Sequence, residues 1–448
     1  MRAAAGLGLR GLVIEALGER HLLELAGWWR GFARRTTVVG ITGSVGKTTV
    51  KELLVAILRT REPTHCNYGS VNSGQWLARA VLGIRPWHRY AVIEMSGSKP
   101  GRMQQAARVV RPNIAVVTKI ARTHTRSLPT LDEAAASKAS LLDRLAPGGV
   151  AVLNGDDPRV AAMAERVAGP GQRVMLFGTS PGLDLRASNV TARWPEKLAF
   201  TVEHRGTRAT VATQLVGAHC LPSALATIAA AMACGVPLDE AAAALRDLQP
   251  YTARLQPVRL PSGAVMLRDD FNGSVDSLEV ALEVLATASG VRRVLMISDI
   301  TDLGTNFRHR FRHLASLLPG VADFVVFTGE HAAYGARRLL EAGFPSSAVR
   351  AIEDLREATR FATEELRDGD LVLLRGRTTD HISRVFLAQF GEVTCWRSSC
   401  DFLCICDDCP LLRAEPGPRY SIRRLYEKVS RSAQSLERNP SAQQGHGG

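Results

Sequence analysis

The sequence predicts an α/β protein: a central phosphate-loop domain with a mostly parallel sheet, followed by a second, smaller α/β domain. Three observations carry this. From Thr36 to Phe177, β-branched runs alternate with stretches of helical periodicity, the pattern of a doubly wound parallel sheet. The first of these alternations turns through a glycine-rich loop, Gly43-Ser44-Val45-Gly46-Lys47-Thr48-Thr49. A second alternation, from Val265 to Val393, resumes after a break punctuated by Pro250 and Pro261.

Taken in order, residues 1 to 36 form a helical segment. Leu12, Val13, Leu17, Leu22, Leu23, Leu25, Trp28, Trp29 and Phe32 give it an apolar face with Arg and Glu between, suited to packing on the next domain, with a membrane-surface helix as the alternative. The central domain is expected over residues 37 to 255. Its strands are read at Thr36–Ile41, Ala91–Met95, Ile114–Thr118, Val150–Leu153 and Val174–Phe177, and its helices at Lys47–Arg59, Asn72–Leu82, Arg102–Val109 and Leu131–Leu145. Short alternating runs at Leu198–Val202 and Thr210–Leu215 predict hairpins, and helices follow at Leu221–Ala233 and Leu238–Leu248. The second domain, residues 256 to 393, has apolar runs at Val294–Ile297, Phe324–Thr328 and Leu371–Leu374. Residues 394 to 448 read as a Cys-rich segment and a disordered tail rich in Arg, Ser, Pro and Gly.

Composition narrows the function. A chain of 448 residues with 46% apolar content is an ordinary globular protein of two or three domains. The net charge of +13 suits anionic ligands, but the basic residues are dispersed without long runs, so nucleic acid is the weaker partner. No apolar run is long enough to span a bilayer and no signal peptide is evident, so a cytoplasmic protein without an integral membrane span is expected. Eight cysteines in so long a chain do not read as a disulfide framework.

The candidate site begins at the glycine loop. A glycine turn entering a helix aims backbone N–H groups and the helix dipole at one spot, where an anion is favoured. Lys47 would reach the outer phosphates of a nucleotide and the Thr48 hydroxyl would bind Mg²⁺. Glu94 ends the strand A-V-I-E-M-S-G, where a Mg²⁺ ligand is needed beside such a loop, although a lone strand-end Glu is more often solvated. His124 follows the strand at Ile114–Thr118 and could reach the same crevice. Lys138 lies on a helix in a chain where Arg far outnumbers Lys, which hints at amine chemistry. Asn154-Gly155-Asp156-Asp157 reads either as a turn or as a polar cluster at the crevice. In Arg268-Asp269-Asp270-Phe271-Asn272-Gly273-Ser274, Asp269 could meet a ribose and Asn272 or Ser274 a phosphate, while Arg254 stands where it could reach phosphates when the domains close.

These residues, in this order, resemble the Mur ligase family, nearest its D-alanyl-D-alanine-adding branch. The resemblance rests on G-I-T-G-S-V-G-K-T-T-V-K-E (40–52), N-Y-G-S-V-N-S-G (67–74), V-I-E-M-S (92–96), R-P-N-I-A-V-V-T-K-I-A-R-T-H (111–124), Lys138, A-V-L-N-G-D-D (151–157), G-A-H (217–219), Arg254, D-D-F-N-G-S (269–274) and L-M-I-S-D-I-T-D-L-G (295–304). It implies Rossmann-like central and C-terminal domains and ADP-forming amide synthesis from a carboxylate substrate and an amino-acid or dipeptide amine, with ATP and Mg²⁺. It further implies that Lys47 and Thr48 hold phosphates and Mg²⁺, that Glu94 and His124 are Mg²⁺ ligands, that Lys138 is carbamylated, that Arg254 touches phosphate, and that Asp269 and Asn272 serve the nucleotide. Departures from the family pattern are Ala218 and Cys220 near the adenine, Lys119 for Asn, Arg126 for Glu, and Arg375-Gly376-Arg377 for Lys-Gly-Ser. The family's first domain, which binds the UDP-sugar end, is expected to be missing, its place filled by a partner protein or by use of a different acid in a specialised pathway. A switch or kinase built on the same loop is the alternative from another class.

Five cysteines crowd between Cys395 and Cys409. Their spacing matches no standard zinc ribbon. A Zn or Fe–S site drawing on Cys400, Cys404, Cys406 and Cys409 is one expectation, and a local set of thiols the other.

Overall fold

The computed structural model describes residues 18–97, 99–121, 130–271, 273, 275–300, 306–398, 400, 405–409 and 411–412. They fall into two compact units divided between Tyr251 and Thr252.

The first unit is built on a nine-stranded sheet in the order β2-β3-β1-β4-β5-β6-β7-β8-β9. The strands are β1 (Thr37–Thr42), β2 (Thr64–Cys66), β3 (Tyr90–Glu94), β4 (Ile114–Val117), β5 (Val150–Asn154), β6 (Arg173–Gly178), β7 (Leu185–Thr191), β8 (Ala199–His204) and β9 (Thr207–Ala212). Pairing is parallel from β2 through β7 and antiparallel across β7-β8-β9. The inner strands are buried throughout, as continuous β-branched runs require when helices cover both faces.

One face is covered by α2 (Lys47–Arg59) and α7 (Leu221–Ala233), the other by α1 (Glu19–Phe32), α3 (Gly74–Gly83), α4 (Arg102–Val110) and α5 (Leu131–Ala139). In α2, Val50, Leu53, Leu54, Ile57 and Leu58 form the buried stripe at helical spacing. The amphipathic segment read at the N-terminus is described from Glu19; residues 1–17 lie outside the described residues. The helix read as Leu131–Leu145 is shorter. It begins on a Thr130/Glu133 capping box and ends at Ala139. Bonding then tightens (Leu141 N–H to the Lys138 carbonyl at 3.1 Å), which lets Leu141, Leu142 and Leu145 all turn inward. A short α6 (Pro158–Ala161) follows β5, and α8 (Leu238–Ala244) is shorter than its apolar pattern.

The second unit has a six-stranded sheet ordered β10-β11-β15-β12-β13-β14: β10 (Gln256–Arg259), β11 (Val265–Asp269), β12 (Arg292–Ile297), β13 (Phe324–Thr328), β14 (Val349–Ile352) and β15 (Asp370–Arg375). Only β10 runs antiparallel. Helices α9 (Val275–Thr287), α10 (Phe307–Leu317), α11 (Ala332–Glu341), α12 (Leu355–Glu365) and α13 (Ser383–Leu387) connect and cover it. Residues 394–412 are not a detached tail where described: Cys406 and Leu412 are buried in the core of this unit. Among the described residues no helix is long and apolar enough to cross a membrane.

Candidate active site

In the first unit, strand order reverses between β1 and β4: the chain places β3 and β2 on one side of β1 and β4 onward on the other. A crevice opens at the carboxyl ends of strands at such a reversal. The loop after β1 lies there and is pinned to the end of β4. Ser44 donates its N–H to the Lys119 carbonyl (2.7 Å) and its hydroxyl to the Ala121 carbonyl (3.1 Å), while the Thr118 hydroxyl donates to the Val45 carbonyl (2.6 Å). Two glycines make this approach possible. Gly43 has φ +146, and a Cβ there would sit 1.9 Å from Thr118 Oγ1; Gly46 has φ +86, and its Cβ would meet Ser223 Oγ at 2.5 Å. Lys47 folds back over the loop, its ammonium on the Gly43 and Ser44 carbonyls (2.9 and 3.2 Å), and Thr49 continues the first turn of α2.

Glu94, at the end of β3, is 1% exposed. Its carboxylate accepts from the Thr48 hydroxyl (2.9 Å) on one oxygen and from the Asn72 amide (2.7 Å) on the other. These donors are neutral. Each oxygen keeps acceptor capacity, so a buried negative charge and a buried hydroxyl stand together at a phosphate loop. That oxygen donor set suits Mg²⁺, and the Gly43/Gly46 cradle suits the phosphates it accompanies. The residues present therefore fit a Mg²⁺–nucleotide.

Asn67, which residue-by-residue reading passed over, ties Glu94 in place: its side-chain oxygen accepts the Glu94 N–H (2.9 Å), and its amide donates to the Glu94 and Val71 carbonyls (3.1 and 3.0 Å). Lys51 was missed as well. It is fully buried, with its ammonium on the carbonyls of Asn67 (2.9 Å) and Gly69 (2.6 Å) and on Glu52 (2.7 Å). Its rarity as a lysine among arginines was the available signal, the one that singled out Lys138.

Lys138 projects from α5 and is 4% exposed. Burial, and then the charge of Lys47, brings its pKa down to about 8. The preceding residue, Ser137, lies against the segment after β3, its hydroxyl 3.4 Å from the Gly97 carbonyl. The loop and Glu94 are thus joined through Thr48, and Lys138 is linked to the loop by the charge of Lys47. His124 lies outside the described residues.

The 154–157 motif is a structural turn. Asp156 accepts from Thr179 and Ser180, and those bonds hold its carboxyl low against the burial that would raise it. Asp157 caps α6 and accepts the Ile120 N–H (2.7 Å), which steadies the strand-end segment beside the loop. Cys220 precedes α7; burial pushes its thiol up to about 12, leaving a neutral S–H 3.3 Å from His219 Nε2.

In the second unit, Asp269 ends β11 and is ion-paired with Arg375 at the end of β15, its register partner in the parallel sheet. Arg375 is fully buried and also donates to the Ser277 hydroxyl (2.7 Å). Burial, and then the neighbouring Arg254 charge, bring its guanidinium down to about 9, and Asp269 is its ion-pair partner. The Arg254 guanidinium stacks over Phe271 at 4.7 Å. Asn272 and Ser274 lie outside the described residues.

The expected Zn or Fe–S site at Cys400, Cys404, Cys406 and Cys409 finds no support. Among the described residues no group of three or more His, Cys, Asp or Glu is placed to hold a metal ion, and Cys404 lies outside them. Cys406 points instead at His381 Nδ1 (3.5 Å), and Asp407 is used in an ion pair with buried Arg268.

Comparison with known proteins bears on the family and the fold. The Mur ligase middle domain matches residues 41–231, and the Mur ligase, glutamate ligase domain matches residues 253–378. The chain is 31% identical over 284 residues to the UDP-N-acetylmuramoyl-tripeptide–D-alanyl-D-alanine ligase of Escherichia coli, an alignment covering 63% of this chain and 61% of that one. It is 27% identical over 364 residues to the ligase of the same name from Bacillus subtilis, covering 81% and 76%. Among solved structures, MurF from Acinetobacter baumannii superposes with a TM-score of 0.74 at 25% identity over 83% of this chain and 80% of that one. A MurF ligase from Thermotoga maritima in complex with ADP shares the fold, with a TM-score of 0.69 at 22% identity over 83% of each chain.

Proposed function

The chain belongs to the Mur ligase family, and from that premise we propose that it is an ATP-dependent, ADP-forming ligase joining a carboxylate to an amino-acid or dipeptide amine. The observation that carries this reading is the contact of Thr48 with buried Glu94 beside the phosphate loop, with Lys138 buried and subject to the charge of Lys47. Names among its relatives point to a UDP-N-acetylmuramoyl tripeptide as the acid and D-alanyl-D-alanine as the amine, and we place the reaction in peptidoglycan synthesis in the cytoplasm.

The chemistry follows from the residues. Loop N–H groups and Lys47 hold the β- and γ-phosphates, drawing Lys47 off the Gly43 and Ser44 carbonyls. A carboxylate oxygen of the acid attacks the γ-phosphorus, the bond to ADP breaks, and an acyl phosphate forms. The amine nitrogen then attacks the acyl carbon, loses a proton, and phosphate leaves. Such transfer needs alignment and neutralisation of charge more than a protein nucleophile. Mg²⁺, held by Thr48 and Glu94 and in this reading by His124, supplies part of that neutralisation. Lys138, a largely buried amine with its pKa near 8, is suited to combine with CO₂; the carbamate replaces a cation by an anion facing a second Mg²⁺. Arg254 and Asp269 are assigned to phosphate and ribose, and Asp269 exchanges Arg375 for the sugar in doing so.

The test is ADP release with Mg²⁺, candidate acids and an amine panel, with the coupled product detected by mass. Continuous ADP release should need acid and amine together, with acid alone giving at most about one ADP per enzyme. Lys138→Ala should abolish turnover without rescue by bicarbonate. AMP formation, or full activity in Lys138→Ala, would overturn the mechanism.

A further inference from the structure

We propose that Lys51 is a positioning residue for the metal–nucleotide site: its ammonium anchors the turn 67–72, and that turn aims Asn72 at Glu94. The proposal rests on the reading of Thr48 and Glu94 as the Mg²⁺ site and names the residues that set its geometry.

Lys51 lies on the same face of α2 as Lys47 and Thr48, one helical turn further in. Lys47 faces the loop, but Lys51 is sealed from solvent. An ammonium has three N–H donors, and here three oxygens surround it: the Asn67 and Gly69 carbonyls and a Glu52 carboxylate oxygen. Its bonding capacity is filled inside the fold, so it is not a phosphate ligand. Burying an ammonium is costly unless every donor is met. The two carbonyls, two residues apart, converge on it because Gly69 takes φ +48, a conformation that favours glycine.

What the ammonium holds is the segment that builds the Glu94 environment. Asn67 carries one of the clamped carbonyls, and its side chain pairs with the Glu94 backbone on both N–H and carbonyl. Asn67 also holds the Val71 carbonyl (3.0 Å), which fixes the residue next to Asn72. Asn72 then donates to one carboxylate oxygen of Glu94 while its own carbonyl accepts the Ser96 N–H (3.1 Å). The chain of contacts runs Lys51, Asn67 and Gly69, Val71, Asn72, Glu94. With Thr48 on the other oxygen, the carboxylate is fixed in rotation, and its remaining lone pairs are directed before any cation arrives. Preorganisation of this kind raises affinity by removing the cost of ordering the ligand groups.

Full-length protein carrying Lys51→Met, Asn72→Ala or both would be compared with wild type in two measurements. Mn²⁺ binding in the presence of ADP would be read by the free-Mn²⁺ electron paramagnetic resonance signal, and metal-free ADP binding by calorimetry. Lys51→Met should weaken Mn²⁺ about tenfold or more and leave metal-free ADP within about twofold. The double variant should lose little beyond the larger single effect, because both residues act on one contact chain. In turnover, the Mg²⁺ concentration for half-maximal rate should rise while kcat at saturating Mg²⁺ changes far less, a split that general loosening of the fold does not produce. Asn72→Ala leaves the buried ammonium untouched and must weaken Mn²⁺ by itself, which keeps the idea open to refutation if Lys51→Met does not fold. Wild-type Mn²⁺ affinity in either single variant, equal loss of metal-free ADP, or additive losses in the double variant would overturn the proposal. Wild-type protein that binds ADP with no gain from Mn²⁺ would instead remove the metal reading itself.

Discussion

The two units bury charge in opposite ways. In the first, the charges at the loop, Glu94 and Lys138, are sealed in a crevice where Glu94 is met by a hydroxyl and an amide and Lys138 has its pKa lowered. In the second, three arginines meet opposite charges, two of them fully buried. Arg268 forks onto Asp270 (2.8 Å) and Asp407 (2.9 Å for its second contact) and stacks on Phe386; Arg375 pairs with Asp269; Arg292 pairs with Asp370 (2.6 Å). A charge neutralised by its own fold has little left to offer a ligand. One held only by dipoles retains most of its field, which is what a site for phosphates and Mg²⁺ requires.

The sharpest way to break this contrast is to remove one partner on the saturated side. Arg268→Met leaves buried Asp270 and half-buried Asp407 without their cation and should destabilise the second unit by about 3–5 kcal/mol. Calorimetry of the full chain should show one transition falling and the other unmoved. Burial raises the Asp270 carboxyl and Arg268 lowers it, so the variant should raise that carboxyl further and favour its protonated form. The triple replacement Arg268→Met, Asp270→Leu, Asp407→Leu should recover most of the loss, because the pair's desolvation cost vanishes with its attraction. Failure to recover would mean that the network holds residues 405–412 to β11 by more than charge.

On the open side the sign reverses. Lys138→Met removes an ammonium that burial penalises and keeps a side chain of similar length. It should stabilise the first unit by about 1–3 kcal/mol while abolishing turnover, a trade of stability for function. A variant that loses stability and activity together would place Lys138 among the structural charges, and the contrast between the units would fail.

How much of this was legible in the sequence depended on range. Strands β1, β3, β4 and β5 announced themselves as β-branched runs because both faces are buried, and α2 was read to its exact ends. The edge strand β2 (T-H-C) and β14 (V-R-A-I, with Arg350 and Ala351 exposed) carry too little apolar pattern to declare themselves. In the crevice, Gly43 to Thr49, Glu94 and Lys138 could be found because side-chain type and local spacing carry their chemistry. The clamp on Lys51 could not, since its partners include backbone carbonyls, which leave no mark on residue identity. Asp269 was read as an open carboxylate because its partner, Arg375, lies 106 residues away and meets it only through the register of β11 with β15. The cysteine cluster left two expectations open, and crowding in sequence did not become a metal-holding group among the described residues.

The smallest effect tests the same contrast through pH. The Lys138 pKa is lowered from 10.5 to about 8, so the folded state sheds its proton before the unfolded chain does. Below pH 8 both states are protonated and the burial penalty is present in full. Between about pH 8 and 10.5 the unfolded state holds more protons, so stability should rise with pH across that window, and the rise should vanish in Lys138→Met. The same proton governs CO₂ addition. The neutral amine attacks carbon, a C–N bond forms, and a proton leaves as the carbamate appears. At fixed dissolved CO₂, carbamate on Lys138 should therefore increase as pH rises toward 8 and beyond, read as a ¹³C resonance from labelled bicarbonate that Lys138→Met lacks. Mg²⁺ and ADP should shift this rise to lower pH, because cations beside the crevice favour the anionic adduct. Were the resonance to track pH with a midpoint near 10.5, the amine would be solvated, and the first unit would bury its charges no differently from the second.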